Sequence, residues 1–178
     1  MSRRNFSFKL SCIVLFIFPT TFYLANAQSV SRITMEPMKV IYVADTATTT
    51  DEISSKMGKN YSRLFMFIGQ QQLKPGRLMA IYQTSSEPWI FEVAVEIDKA
   101  LPNHPEGIQF KTTEGGDAIV VHYKGPYEKI SNAYQHIDEW LKRNNKQRSG
   151  PAVEVYLNEP ARVKDKNELL TDVYQLIK

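Results

Sequence analysis

The segment Val153-Glu154-Val155-Tyr156 alternates apolar and polar residues, which places Glu154 and Tyr156 on one side of a strand and the two valines on the other. Seventy-four residues earlier, Gly76 and Tyr82 stand in the same relation as Gly150 and Tyr156, and the counterpart of Glu154 is Ala80. One half therefore carries an acid that its twin lacks, as a ligand site requires and a purely structural repeat does not. Spacing alone favours an exposed glutamate on an edge strand. Walled by Tyr and Trp, the same carboxylate would take a cationic or hydrogen-bond-donating ligand, because an unpaired charge is costly in low dielectric, and its pKa would rise. Tyr127, Tyr134 and Trp140 are the aromatic candidates for such walls, although helical spacing fits them equally well as core.

Glu92 and Asp172 occupy equivalent places in Phe91-Glu92-Val93 and Thr171-Asp172-Val173. Paired acids support general acid/base chemistry, while a solvated sheet face is an equally good account of both. His104, His122 and His136 are the only histidines and show no HxxxH or HExxH spacing, so no metal is expected. His122 alternates with Val121 on a strand, from which it would reach a cleft or serve as a hydrogen-bonded structural residue. There is no G-x-S-x-G elbow, Walker loop or G-x-G-x-x-G loop, which leaves serine-hydrolase and nucleotide-dependent chemistry without support.

The elements that would position these residues occur twice, in repeat halves spanning about 37–98 and 108–178: strand, amphipathic helix, Gly-containing turn, strand ending in Tyr, strand. In the first half Lys39–Val43 is β-rich, and Thr49 with Glu52 has capping-box spacing. Ile53, Met57, Tyr61, Leu64, Phe65 and Ile68 then share a helical face. Strands are expected over Leu78–Tyr82 and Trp89–Ile97, with a connection over Lys99–Gly107 and an extra strand over Ile108–Thr112. In the second half Ala118–Tyr123 is a strand and Gly125-Pro126 a turn. Ile130, Ala133, Tyr134, Ile137 and Leu141 share a helix face, and Val153–Leu157 and Leu170–Ile177 close the chain. The predicted fold is α+β: duplicated β-α-β-β units with pseudo-two-fold symmetry, two small antiparallel sheets that meet, two long helices on one face and a central cleft.

The 178 residues, with 22 Lys+Arg and 19 Asp+Glu, suit one ordinary domain. Residues 1–27 read as an export signal: Arg3, Arg4 and Lys9 are followed by apolar Leu10–Phe18 and by Ala25-Asn26-Ala27, which predicts cleavage after Ala27 and a periplasmic or secreted protein. An uncleaved anchor is the alternative. Without that segment, residues 28–178 carry 19 basic and 19 acidic side chains, a balance that argues against nucleic-acid partners. The only cysteine, Cys12, lies in the signal, so residues 28–178 offer no disulfide, thiolate nucleophile or Cys-ligated metal.

The order Gly116-Asp117-Ala118, His122-Tyr123-Lys124-Gly125-Pro126-Tyr127, Ala133-Tyr134, Glu139-Trp140-Leu141, Gly150-Pro151 and Glu154-Val155-Tyr156 resembles the GyrI-like small-molecule-binding domain, also described as the AraC-type effector-binding domain. The first half adds Gly76, Ala80-Ile81-Tyr82 and Phe91-Glu92-Val93. The resemblance implies a cleft that holds small, often apolar and cationic molecules against aromatic walls and a buried glutamate. By position Glu154 matches that glutamate, with Tyr156, Tyr127 and Trp140 as walls. Tyr134, Tyr82, Glu92, Asp172 and His122 complete the expected ligand-binding set. Many relatives are the sensing halves of transcription regulators, whereas this sequence has no helix-turn-helix segment. The closing strand has Asp172 where relatives often place Glu.

The leading expectation is thus an exported module that binds a hydrophobic or cationic small molecule without a cofactor, nucleic acid or membrane attachment after signal removal; a protein partner is a further possibility. The alternatives are a hydrolase of electrophilic small molecules, with Glu154 as acid or base and Tyr127 or Tyr156 assisting, and a haem or tetrapyrrole binder through His122 or a wide apolar cleft.

Overall fold

The computed structural model describes residues 29–100 and 105–178. Residues 1–27, where the export signal is expected, and His104 lie outside the described residues. Ten main elements follow in order: β1 (Val30–Met35), β2 (Lys39–Ala47), α1 (Thr50–Gln70), β3 (Pro75–Tyr82), β4 (Trp89–Ile97), β5 (Gln109–Thr112), β6 (Gly116–Lys124), α2 (Ser131–Arg143), β7 (Arg148–Tyr156) and β8 (Leu170–Ile177). β1 is the one strand that the sequence pattern does not announce, because Ser31, Arg32 and Thr34 interrupt its apolar residues.

Helix α1 starts where its capping residues require. The Thr49 hydroxyl accepts from the backbone N–H of Glu52 at 3.2 Å. The reciprocal half of the box is displaced by one residue, with the Glu52 carboxylate accepting from the backbone N–H and hydroxyl of Thr48 at 2.8 and 3.1 Å. Both helices end in the same way. Gln72 and Asn145, 73 residues apart, take left-handed φ values of 53° and 50°. The next residues, Leu73 and Lys146, donate back to the carbonyls of Ile68 and Leu141, each at 3.0 Å. This is the six-to-one closure of a Schellman turn, repeated one residue short of the 74 that relate Gly76 to Gly150 and Tyr82 to Tyr156.

The strands form one antiparallel sheet in the order β1-β6-β8-β7-β3-β4-β2-β5. The two small sheets expected from the sequence are therefore continuous, since β3 and β7 pair and satisfy each other's edges. Their register sets Ala80 opposite Glu154, Leu78 opposite Tyr156 and Tyr82 opposite Ala152. A shift of 74 residues exchanges the last two pairs and leaves the first on itself, so an approximate two-fold axis passes through Ala80 and Glu154.

A flat sheet would put β1 and β2 six strand spacings apart, roughly 29 Å. Only Glu36, Pro37 and Met38 join them, a link that reaches about 14 Å at full extension. The sheet must curl until β1 and β2 approach, and the pairing of β2 with β5 continues one rung into the link that joins them. Met38 donates to the Thr113 hydroxyl at 2.9 Å, and Thr113 donates to the Met38 carbonyl at 2.8 Å. Curling encloses Met35, Met38, Val40, Met79, Ile81, Ala94, Val155 and Leu176 on the face that no helix covers.

On the other face, Leu64, Phe67 and Ile68 of α1 pack on Ile41, Val43, Phe91 and Val93, while Ala133, Ile137 and Leu141 of α2 pack on Ile119, Val121 and Val173. The helices thus cover the outer strand pairs, and β3 and β7 lie between them. Leu64 is completely buried in the first of these clusters. Leu64→Ala should lower unfolding free energy by about 2–5 kcal/mol, measured by urea titration, because the cavity adds to the lost transfer energy.

Candidate functional site

The register that makes β7 a central strand decides the environment of Glu154. Val153 and Val155 point into the core of the curled face, so Glu154 and Tyr156 point to the helix face, between α1 and α2. Glu154 is 4% exposed, not the surface residue of an edge strand that spacing alone favours. Opposite it Ala80 contributes only a methyl group.

Tyrosines from five elements surround this carboxylate: Tyr61 from α1, Tyr82 from β3, Tyr127 from the turn before α2, Tyr134 from α2 and Tyr156 from β7. Tyr134 donates to one carboxylate oxygen at 2.8 Å and Tyr156 to the other at 2.9 Å. Tyr127 meets the Tyr156 ring edge-on, with centroids 5.3 Å apart and planes at 67°. Tyr61 donates to the Met79 carbonyl at 2.8 Å, which ties α1 to β3. All five tyrosines are partly exposed while the acid beneath them is buried. The arrangement is a ring of tyrosines around a buried carboxylate.

Tyr127 is held by the turn that precedes it. Gly125 sits at φ 147°, and a Cβ there would come within 2.8 Å of the Tyr123 hydroxyl. That hydroxyl donates to the Pro126 carbonyl at 2.8 Å, bracing the turn.

Burial raises the Glu154 pKa above the ordinary carboxylate value, and the hydrogen bonds from Tyr134 and Tyr156 offset only part of that rise. Burial, and then the charge of Glu154, push every tyrosine in the ring upward, Tyr127 to about 12 and the others further. At physiological pH the walls are therefore neutral donors. Among the described residues no Lys, Arg or His forms an ion pair with Glu154. A negative charge on Glu154 has hydrogen bonds but, among the described residues, no ion-pair partner.

The structure gathers Glu154, Tyr156, Tyr127, Tyr134 and Tyr82 as the sequence suggests. Tyr61 was readable only as core; its helical position, 73 residues before Tyr134, was the available signal. Trp140 packs along the cluster beneath α2 with Val30 and Ile130 and makes none of the hydrogen bonds to Glu154.

Glu92, Asp172 and His122 lie on the opposite face of the sheet. Glu92 pairs in register with Ile81, and Asp172 with Val155, both of which point into the curled core. Glu92 forms an ion pair with Lys111, whose ammonium lies 4.7 Å from the Tyr42 ring centroid. Asp172 bonds His122 Nδ1 at 2.6 Å and accepts from the Tyr174 hydroxyl at 3.1 Å. Two strands separate β4 from β8, and each acid is engaged by its own partners instead of by the other. His122, facing away from the cleft, offers no axial ligand to a haem placed there.

The model of the GyrI-like small molecule binding domain matches residues 28–178, so the chain belongs to that family. No curated protein is a significant match to the sequence. Among solved structures, the fold is similar to the EcmrR C-terminal domain, at 17% identity and TM-score 0.70 over 84% of this chain and 97% of that one. It is similar to a hydrolase encoded by lin2189 from Listeria innocua, at 8% identity and TM-score 0.63 over 85% and 92% of the two chains. It also resembles SAV2435 bound to tetraphenylphosphonium, at 9% identity and TM-score 0.58 over 84% and 94%. At these identities the likeness concerns the fold.

Proposed function

We propose that this protein is an exported binding protein that captures a lipophilic cation between α1 and α2, with Glu154 as the counter-charge and the tyrosine rings as walls. The observation that carries this reading is the buried Glu154 carboxylate with two phenolic donors and no cationic partner. A ligand cation would compensate that charge, and ring faces add cation–π attraction. The domain family binds small molecules, and one protein of this fold holds tetraphenylphosphonium, which supports the ligand class. Export rests on the sequence of residues 1–27.

Tetraphenylphosphonium and tetraphenylborate have nearly the same shape and opposite charge. Calorimetric titration of residues 28–178 should show saturable binding of the phosphonium and at least about tenfold weaker binding of the borate. Equal affinities would mean that the cleft selects shape alone and would overturn the counter-charge reading.

A second reading is favoured by the raised Glu154 pKa. A carboxyl whose burial makes it hold its proton more tightly than an ordinary glutamate, beside tyrosine donors, is equipped for general acid catalysis on an electrophilic substrate. Product formation beyond one equivalent of protein distinguishes that role from capture.

A further inference from the structure

Three of the five methionines in residues 28–178, Met35, Met38 and Met79, gather in the buried cluster inside the curl, on the face opposite Glu154. Two of them reach a shared space. Met35 and Met38 both line one cavity of about 200 Å³, whose other walls include Ile33, Glu36, Arg77 and Tyr174. The Met-x-x-Met spacing across the link between β1 and β2 brings this about, since residues three apart have Cα atoms within about 11 Å of each other. Both ends of the link are held. Met35 pairs with Gly116, and Met38 exchanges two hydrogen bonds with Thr113, at 2.9 and 2.8 Å. The backbone at Gly115 approaches the link so closely that a Cβ there would stand 2.7 Å from the Met35 carbonyl oxygen and 2.7 Å from Pro37 Cδ.

A methionine in a core commonly serves to fill gaps. These two leave a cavity open beside them, and the charges around it suit a cation. The Arg77 guanidinium is already taken by Glu96, through Nε at 2.8 Å and Nη2 at 2.9 Å. The Tyr174 hydroxyl is donated to Asp172. Glu36 is exposed and, among the described residues, forms no ion pair. The cavity wall therefore carries one uncompensated carboxylate. Thioether sulfur is a soft, uncharged donor that selects soft ions such as Cu(I), and residues 28–178 contain no cysteine to compete for one. We infer that Met35 and Met38, with the Glu36 carboxylate as counter-charge, form a site for a soft monovalent cation of the Cu(I) and Ag(I) class. The site lies across the sheet from Glu154 and stands independently of the reading given to that residue.

The test uses Ag(I), which needs no reductant, in chloride-free buffer with residues 28–178 labelled with ¹³C at the methionine methyls. Met57 and Met66 on α1 serve as internal controls, Met66 being 67% exposed. One equivalent of Ag(I) should shift the Met35 and Met38 methyl resonances and leave those of Met57 and Met66 in place. Imidazoles also take silver, so the methyl shifts and not the total uptake are the readout. Leucine keeps the volume of methionine, and Met35→Leu and Met38→Leu should therefore fold. Each should weaken Ag(I) binding, read from the remaining methyl, by at least about tenfold, the least that losing even an outer-shell partner costs. Zn(II), which prefers imidazole, thiolate and carboxylate, should shift neither methyl. Tetraphenylphosphonium affinity should be the same in both variants as in the unaltered protein, because Glu154 faces the other way. A Met66 shift as large as those of Met35 and Met38 would mean capture by any thioether and would overturn the site. So would an affinity that either Leu variant leaves intact, or an equal response to Zn(II).

Discussion

Glu154→Gln should weaken tetraphenylphosphonium binding by at least about 30-fold and make the unliganded domain more stable above neutral pH. The affinity loss is the low end of the roughly 2–5 kcal/mol lost when one charge of a desolvated pair is removed. The gain in stability follows from the same burial. Because the folded-state pKa of Glu154 lies above that of the unfolded chain, the folded protein holds the proton more tightly. The protonated carboxyl is tolerated, so stability is greatest below the unfolded value and declines as pH rises through the raised folded value. Glutamine never ionises, yet its amide can accept from Tyr134 and donate to Tyr156. The variant should therefore match the unaltered protein in urea unfolding at pH 4–5 and exceed it increasingly toward pH 8. A residue retained for structure alone would show loss of stability on substitution, whereas one retained for a cation shows this exchange of stability against affinity.

The second large effect comes from restoring symmetry on the axis. Ala80 is fully buried and directly opposite Glu154. Ala80→Glu would set two carboxyls face to face, where like charges in low dielectric force one to keep its proton. Overpacking contributes about 1–3 kcal/mol to the loss. Ala80→Gln supplies nearly the same volume without charge and isolates that contribution. At pH 8 the Glu variant should be less stable than the Gln variant by about 2 kcal/mol or more, and the gap should close toward pH 5. Thermal melting at the two pH values measures it. Equal stabilities at both would show that no charged group faces Ala80.

The distinction between what was legible and what was not follows the range of the forces involved. Local signals gave the Thr49 cap, the Trp89–Ile97 and Leu170–Ile177 strands to the residue, and the two helical faces, because each depends on neighbours within a few positions. The depth of Glu154 depends on β3 pairing with β7, a contact between residues 74 apart, and alternation cannot tell a central strand from an edge. Alternation correctly placed Glu92 opposite Phe91 and Val93. Which of those faces carries Glu154 was decided by where α1 and α2 dock, and that put Glu92, Asp172 and His122 on the far side. The curl of the sheet was implicit in the short link between β1 and β2, but only once their distant positions in the strand order were known. Tyr61 shows the opposite failure: its apolar spacing was real, yet a tyrosine can pack its ring and aim its hydroxyl at a functional neighbourhood.

Direct titration of the Glu154 carboxyl tests the central claim most closely. Residues 28–178, labelled with carboxyl-¹³C glutamate and assigned by comparison with Glu154→Gln, would be followed by NMR with and without tetraphenylphosphonium. The Glu154 midpoint should lie above the ordinary value of about 4.3 in the free protein and fall when the cation binds, since a bound positive charge favours the ionised form. A midpoint in the ordinary range that the cation leaves in place would contradict the account, because the carboxyl would then be neither buried without a counter-charge nor the group that the ligand meets.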